Sequence, residues 1–395
     1  MKVVVVGYGS RGDVEPCVAV GRELLRRGHD VLVAVPPNMR GFVESVGLIA
    51  VAYGPDSREE MNPASELFHD LTTKMDDTVS VFTEVVKHVT QVKSDKSSTL
   101  TTAAQGADLL VAGFNEQGLA ANVAEYYGIP AAALHLFPTR ILSSTSMVPI
   151  VTKQTDDAQR HALGLPEALR PSALEPLEIQ AYDELCLPGP AAEWVDPDRR
   201  RPFVGALTLE LPTDVDDEVL SWISAGTPPI YFGFGSTPIP SPAETAAVIS
   251  AACAQLGARA LICSGPNDFT HMPHLDNLKV VGAVNHAAIF PACLAVVHHG
   301  GAGTTAAAMR AGIPELALWF WLDQPVWAAA IERLKVGSAR AFSDSTLDSL
   351  VADLRSILTP QCIARAREVA AQMTKPAESV ASAAELVEET ARLGS

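Results

Sequence analysis

The sequence predicts an α/β protein of two Rossmann-like domains facing across a cleft, and three observations predict it. Short apolar runs alternate with amphipathic stretches between residues 2 and 136, the pattern that builds a parallel sheet. The same alternation restarts at residue 230 and continues past residue 330. Between them lies a Pro-, Asp- and Arg-rich stretch, 187–217, with little periodicity outside 202–207, which reads as a connection. Two such frames leave a cleft, the usual place for a ligand.

Each element follows from its local pattern. Residues 2–6 are a Val run suited to a strand buried on both faces. Residues 15–27 carry apolar residues at 17, 18, 20, 21, 24 and 25 and a basic last turn before Gly28, a helix with its stop. Strand 29–35 ends at Pro36-Pro37, and helix 42–46 and strand 48–53 follow. Strands 109–112 and 131–136 flank a helix at 118–127. Residues 55–105 interrupt the frame: they are polar, with Met61, Phe68, Met75, Val79 and Phe82 at loosely helical spacing. Residues 138–170 are irregular too, opening on a Ser/Thr/Pro tract that runs to 152, and such excursions over strand ends shape pockets. In the second frame, strands are expected at 230–234, 258–264, 278–281, 294–298 and 315–320, with helices at 242–256, 304–311 and 326–334 and a short segment at 287–290. Helices are expected from 347 onward. The expected domains are 1–200 and 218–375, joined by a linker at 201–217, with a C-terminal helix at 376–395 packing back on the first domain.

At 395 residues the chain is too long for one ordinary core. Its 48% hydrophobic and 19% charged residues are those of a soluble globular protein. A net charge of −17 argues against nucleic acid, whose phosphates need a basic surface, and allows at most peripheral membrane contact. An anionic ligand must then be held by backbone dipoles and a few side chains. Six scattered cysteines without a C-x-x-C pair read as reduced thiols, not as a disulfide frame or a zinc site. The chain opens on a strand pattern, and no apolar run approaches the ~18 residues of a membrane span. The expected location is the cytoplasm, at most touching the inner membrane surface.

The first strand runs into Gly7-Tyr8-Gly9-Ser10-Arg11-Gly12, a G-x-G-x-x-G string of the dinucleotide-binding kind. That chemistry also requires an acid at the end of the second strand, for the ribose hydroxyls. The only nearby acid, Asp30, stands at that strand's beginning, which argues against NAD or FAD. A purely structural glycine turn is one remaining reading. The other uses Asp13, the residue after the third glycine. Its carboxylate can cap the helix, the common role, or project toward the cleft as a general base, with Arg11 and the helix N-terminus holding it ionised.

The second string is more specific. Strand 294–298 runs into His298-His299-Gly300-Gly301-Ala302-Gly303-Thr304-Thr305 and an Ala-rich helix. Small residues opening a helix are a recipe for binding a diphosphate, and the Lys of a P-loop is absent. His299 can donate to a phosphate oxygen, and Asp323-Gln324, at the end of the next strand, suit sugar hydroxyls. One core histidine is usually just a satisfied core residue; a histidine pair, three glycines and an acid–amide pair at successive strand ends are a joint signal.

The stretch 298–324 resembles the donor-binding signature of family 1 glycosyltransferases with the two-domain GT-B fold. Ser10-Arg11-Gly12-Asp13 with Glu15-Pro16 resembles the N-terminal loop of their actinobacterial branch, which glycosylates glycopeptides, macrolides and other polyketides, and cell-envelope glycopeptidolipids. Stretches 11–17, 35–48 and 228–238 are most similar to mycobacterial glycolipid glycosyltransferases. The resemblance covers nearly the whole chain, strongly at 1–53 and 228–340 and weakly at 55–105 and 138–190.

It implies that Asp13 is the general base and that Ser10 and Gly12 lie against the donor phosphates across the cleft. Ser236, His299, Gly301, Gly303 and Thr304 are then the diphosphate cradle, Val284 presents backbone to the pyrimidine, and Asp323 and Gln324 hold the sugar. The implied reaction is an inverting, metal-independent transfer of a hexose or deoxyhexose from a UDP- or dTDP-sugar to a hydroxyl of an amphipathic acceptor: a lipid, lipopeptide, glycopeptide or polyketide. The nucleotide sugar is a substrate, and no cofactor is expected. Glu315 departs from the family, which usually carries a small or apolar residue there; at a strand start, only a local effect is expected. Trp319-Phe320-Trp321 reads as core and rim, with a deoxysugar preference as the alternative. No D-x-D string stands at a strand end, Asp196-Pro197-Asp198 falling in the connection. Two other readings stay open: an epimerase or hydrolase of the same fold, and a non-catalytic nucleotide-sugar-binding protein.

Overall fold

The computed structural model describes residues 1–59, 78–138, 156–166, 177–187, 201–269 and 277–394, with the backbone alone at 78–89. Met61, Phe68 and Met75, the Ser/Thr/Pro tract beyond Pro138 and Asp196-Pro197-Asp198 lie outside the described residues. The described residues of Met1–Ala181, Trp194–Thr208 and Pro376–Ser395 form one compact unit, and those of Tyr182–Glu193 and Leu209–Lys375 form the other. The stretch 201–217 is therefore not one linker. Residues to Thr208 go with the first unit, and those from Leu209 on with the second, where a helix already starts at Asp216.

The first unit is built on six parallel strands: β1 (Lys2–Val6), β2 (Asp30–Val35), β3 (Ile49–Ala52), β4 (Leu109–Ala112), β5 (Ala131–His135) and β6 (Leu177–Gln180), in the order β3-β2-β1-β4-β5-β6. β1 pairs with β2 on one side and β4 on the other. Val3 to Val6 are fully buried, which is why this strand reads as a continuous apolar run and not as an alternation. Helix α1 (Arg11–Arg26) leaves its C-terminal end, and the polar segment noted in the sequence contains a long helix, α2 (Thr78–Ala103).

The second unit repeats the plan with β7 (Pro229–Gly233), β8 (Arg259–Cys263), β9 (Leu278–Val281), β10 (Ala295–His298), β11 (Glu315–Trp319) and β12 (Gly337–Ala341), in the order β12-β11-β10-β7-β8-β9. Helix α3 (Ala302–Ala311) follows β10 and α4 (Gln324–Leu334) follows β11. Its core joins Ile230, Phe232, Val297 and Leu316 from the strands to Ile249 and Leu354 from covering helices. The last helix, α5 (Pro376–Gly394), packs on α1 in the first unit: His29 Nε2 lies 2.7 Å from Glu388 Oε1, and Arg27 reaches the same carboxylate at 3.3 Å. All six cysteines are free, and no helix among the described residues is long and apolar enough to cross a membrane.

Candidate functional site

In the first unit the candidate residues sit in the turn from β1 into α1. Gly9 adopts φ +133°, and a Cβ there would lie 2.4 Å from Asp13 Oδ2, so only glycine lets the strand end pass this close to the carboxylate. Ser10 is the N-cap of α1 and Asp13 its third residue, so the helix begins four residues before the sequence suggested. The Ser10 N–H donates to Asp13 Oδ2 at 2.7 Å and its hydroxyl donates to the same oxygen at 2.9 Å. Oδ1 has no hydrogen-bond partner among the described residues. Cap and base are thus compatible roles, because one oxygen closes the helix start and the other stays open.

Arg11 does not hold Asp13 ionised, as the sequence suggested. Its Nε pairs with Glu15 at 2.8 Å and its guanidinium lies 4.5 Å from the Phe42 ring centroid. Burial instead raises the Asp13 carboxyl above its ordinary pKa, against the opposing hydrogen bonds from Ser10. Gly12 is exposed, and a Cβ there would meet only Ser10 Oγ at 3.7 Å. Asp30 is exposed at the start of β2, so no acid stands where a dinucleotide's ribose would need one.

Several side chains that hold this turn carried no motif signal. Ser57 Oγ donates to the Gly9 carbonyl at 2.7 Å, Asn38 Nδ2 donates to Ser57 Oγ at 3.1 Å, and Asn115 Nδ2 donates to the Tyr8 carbonyl at 3.0 Å. Lys96 Nζ lies 3.1 Å from the Tyr8 ring centroid and 2.8 Å from Glu116 Oε1, and the Tyr53 hydroxyl donates to Glu116 Oε2.

In the second unit the candidates gather at the C-terminal ends of β7, β10 and β11. Gly301 is the N-cap of α3, which starts two residues before the sequence suggested, so Gly303 and Thr304 fall in its first turn. A glycine cap offers no side chain, and the N–H groups of Ala302, Gly303 and Thr304 have no acceptor among the described residues. Such an open helix start suits an anion. The His299 ring fills the space between this start and the turn after β7. A Cβ on Gly235 would lie 2.6 Å from His299 Cε1, and one on Gly301 would lie 2.4 Å from Nε2. Ser236 is exposed on that same turn. His299 Nδ1 is buried with no hydrogen-bond partner among the described residues, and burial lowers the ring's pKa to about 4, so the imidazole is neutral near pH 7.

Asp323 and Gln324 prove to be parts of their own turn first. Trp327 Nε1 donates to Asp323 Oδ2 at 3.0 Å, while Gln324 Oε1 accepts the N–H of Phe320 at 2.7 Å and of Trp321 at 3.3 Å. The Gln324 amide NH2 has no hydrogen bond among the described residues. A Cβ on Gly300 would lie 3.1 Å from the Gln324 carbonyl oxygen, which sets this turn directly against the His299 loop. Val284, beyond β9, buries its side chain with Tyr231, Ile289 and Phe290, while its own N–H and C=O carry no hydrogen bond among the described residues. Trp319, Phe320 and Trp321 line a cavity of about 650 Å³ with Phe342 and Ser345. Phe320, partly buried, packs against the second unit's core and stacks on Phe342 at 4.4 Å between centroids, and Trp321 is half exposed. No group of three His, Cys, Asp or Glu side chains that could hold a metal gathers among the described residues.

Two compact units, each built on a parallel six-stranded sheet with helices between its strands, define a class: two-domain α/β proteins of the doubly wound kind. Comparison with known proteins narrows it. Residues 3–142 match the model of the glycosyltransferase family 28 N-terminal domain, and residues 240–393 match that of the erythromycin biosynthesis protein CIII-like C-terminal domain. An uncharacterised glycosyltransferase of Mycobacterium tuberculosis is 55% identical, with 99% of each chain covered. The vancomycin aglycone glucosyltransferase of Amycolatopsis orientalis is 28% identical over 97% of this chain and 96% of its own. Among solved structures, the glycotransferase of kitacinnamycin has a TM-score of 0.71 at 19% identity, covering 98% of each chain. The glycosyltransferase VinC, in complex with dTDP, has a TM-score of 0.67 at 20% identity, covering 100% of this chain and 99% of its own. The chain belongs to the GT-B glycosyltransferases of the actinobacterial type.

Proposed function

We propose that the protein is an inverting glycosyltransferase that moves a hexose or deoxyhexose from a UDP- or dTDP-sugar to a hydroxyl of a lipid, lipopeptide, glycopeptide or polyketide. The observation that carries this reading is the Asp13 carboxylate, fixed through Oδ2 and unpartnered at Oδ1 among the described residues. The acceptor hydroxyl gives its proton to Asp13 as its oxygen bonds the anomeric carbon. The bond from that carbon to the diphosphate breaks on the opposite face, and the configuration inverts. Charge on the departing nucleoside diphosphate is taken up by the N–H groups at the start of α3, by Ser236 and by His299. These groups stabilise it without a metal, so turnover should survive a chelator; loss of activity in EDTA, restored by a divalent cation, would contradict that point. The dTDP in the VinC complex supports a nucleoside diphosphate donor.

Asp13→Asn tests the base directly, because the amide oxygen can still accept from Ser10 and keep the cap. Turnover should drop by roughly 10²–10⁴-fold while UDP and dTDP binding stays as in the wild type. Full activity of the Asn variant overturns the assignment. An epimerase or hydrolase would consume donor equally well without acceptor, and a non-catalytic binder would transfer sugar to nothing in a broad acceptor screen; either result displaces this reading.

A further inference from the structure

Glu315 begins β11, and none of the roles above uses it. It is fully buried, as is His298 at the end of β10. The parallel register pairs Glu315 with Val296, which sets it diagonally from His298 on the same face of the sheet. Their side chains meet, His298 Nε2 lying 3.0 Å from Glu315 Oε2. On the other edge of the ring, Nδ1 accepts the Gly300 N–H at 3.1 Å. An accepting Nδ1 puts the proton of the neutral imidazole on Nε2, and that N–H donates to Glu315. Burial favours this neutral state, lowering His298 to about 3 and pushing the Glu315 carboxyl up. Gly300, in left-handed backbone at φ +83°, joins His299 to Gly301 and the open start of α3.

We infer that Glu315 is a positioning residue for the donor: by fixing the His298 tautomer it holds the Gly300 peptide, and with it the loop that receives the diphosphate. This rests on the donor reading of that loop. An apolar side chain at 315 leaves two poor choices, an Nε2–H without an acceptor in a dry core or an Nδ1–H pointed at the Gly300 N–H. Either releases the loop. Glutamine keeps the arrangement, because its carbonyl oxygen can replace Oε2 and its NH2 falls where Oε1 has no partner among the described residues.

The test compares wild type, Glu315→Gln and Glu315→Leu by calorimetry with UDP and dTDP, alongside 15N spectra of the histidine side chains. Glu315→Leu should bind about tenfold more weakly, the cost of an unmade buried hydrogen bond, with donor KM rising more than kcat falls. Glu315→Gln should restore binding to within about twofold, as expected when the same bond is made. His298 should carry its proton on Nε2 in the wild type and in the Gln variant. Wild-type affinity in Glu315→Leu, or an Nδ1–H form of His298 in the wild type, overturns the inference. Should the Leu variant not fold, the wild-type tautomer and the Gln affinity decide it, a tenfold loss in Glu315→Gln counting against. Failure of the wild type to bind either nucleotide would instead overturn the donor reading, a result distinct from normal wild-type binding with an indifferent Leu variant.

Discussion

Asp13 divides two demands between two oxygens, and its titration reports on both. Burial favours the protonated acid while the Ser10 hydroxyl and N–H favour the carboxylate, with burial the larger influence. A general base works only when ionised, so activity is lost as pH falls through its pKa. The acidic limb of kcat/KM should therefore lie above the ordinary aspartate value. Ser10→Ala removes one of the donors that favour the carboxylate and should move that limb further toward neutral pH. A limb that stays put, or moves to lower pH, would show that Asp13 is not the group titrating. At this scale the sequence was legible where chemistry sits in short strings, as in residues 7–13 and 298–305. It was illegible where a role depends on long-range pairs. Asn38, Ser57 and Asn115 reach the same turn from three different strand ends, and the Lys96–Glu116 pair is joined across 20 residues. The presumed help from Arg11 was misread for the same reason, since Glu15 and Phe42 compete for it.

Elements were legible according to how much apolar surface they bury. The central strands β7 and β10 are buried throughout, as is β1 after Lys2, and they read as apolar runs rich in Val, Ile and Phe. The edge strands β6 and β12 mix Glu, Gln, Ser and Arg among apolar residues and gave no such signal. Helices α1, α3 and α4 all begin before the sequence suggested, because small and polar residues such as Gly12, Gly303 and Gln324 fill their first turns and carry no apolar periodicity. Two glycines at the start of α3 separate packing from binding. Gly301 has φ −68° and ψ 141°, which alanine adopts freely, but a methyl there would displace the His299 ring. Gly303 is exposed with nothing within 4 Å of a built Cβ, so the chain itself does not require glycine there. Gly303→Ala should leave thermal stability unchanged or slightly raised, since alanine is the better helix former, and yet weaken UDP and dTDP binding if a phosphate approaches that backbone. Gly301→Ala should weaken binding through His299 with its fold intact. Normal nucleotide affinity in both variants would remove the start of α3 from the donor site.

Across the whole molecule, the chain ends by returning to the unit in which it began. Helix α5 lays Ala383, Ala384, Val387 and Ala391 into buried positions, and Glu388 joins Arg27 and His29 beside α1. The first unit is therefore completed by residues that follow the whole of the second, and shortening the chain at residue 375 should cost the first unit its stability and not merely a tail. Glu388→Gln isolates the polar part of that docking. Its carboxyl is held below the ordinary glutamate range, first by the His29 hydrogen bond and then by Arg27. A carboxyl with a lowered native pKa stabilises the fold above its unfolded pKa and loses that contribution as pH falls through the native one. At pH 7 the variant should melt below the wild type by a few degrees, corresponding to about 1 kcal/mol for a partly buried pair. As pH falls below about 4.3, where the unfolded carboxyl takes up its proton, the gap should narrow and then close. A gap that stays constant down to acid pH would assign the effect to packing at position 388 and leave the ion pairs without a part in holding α5.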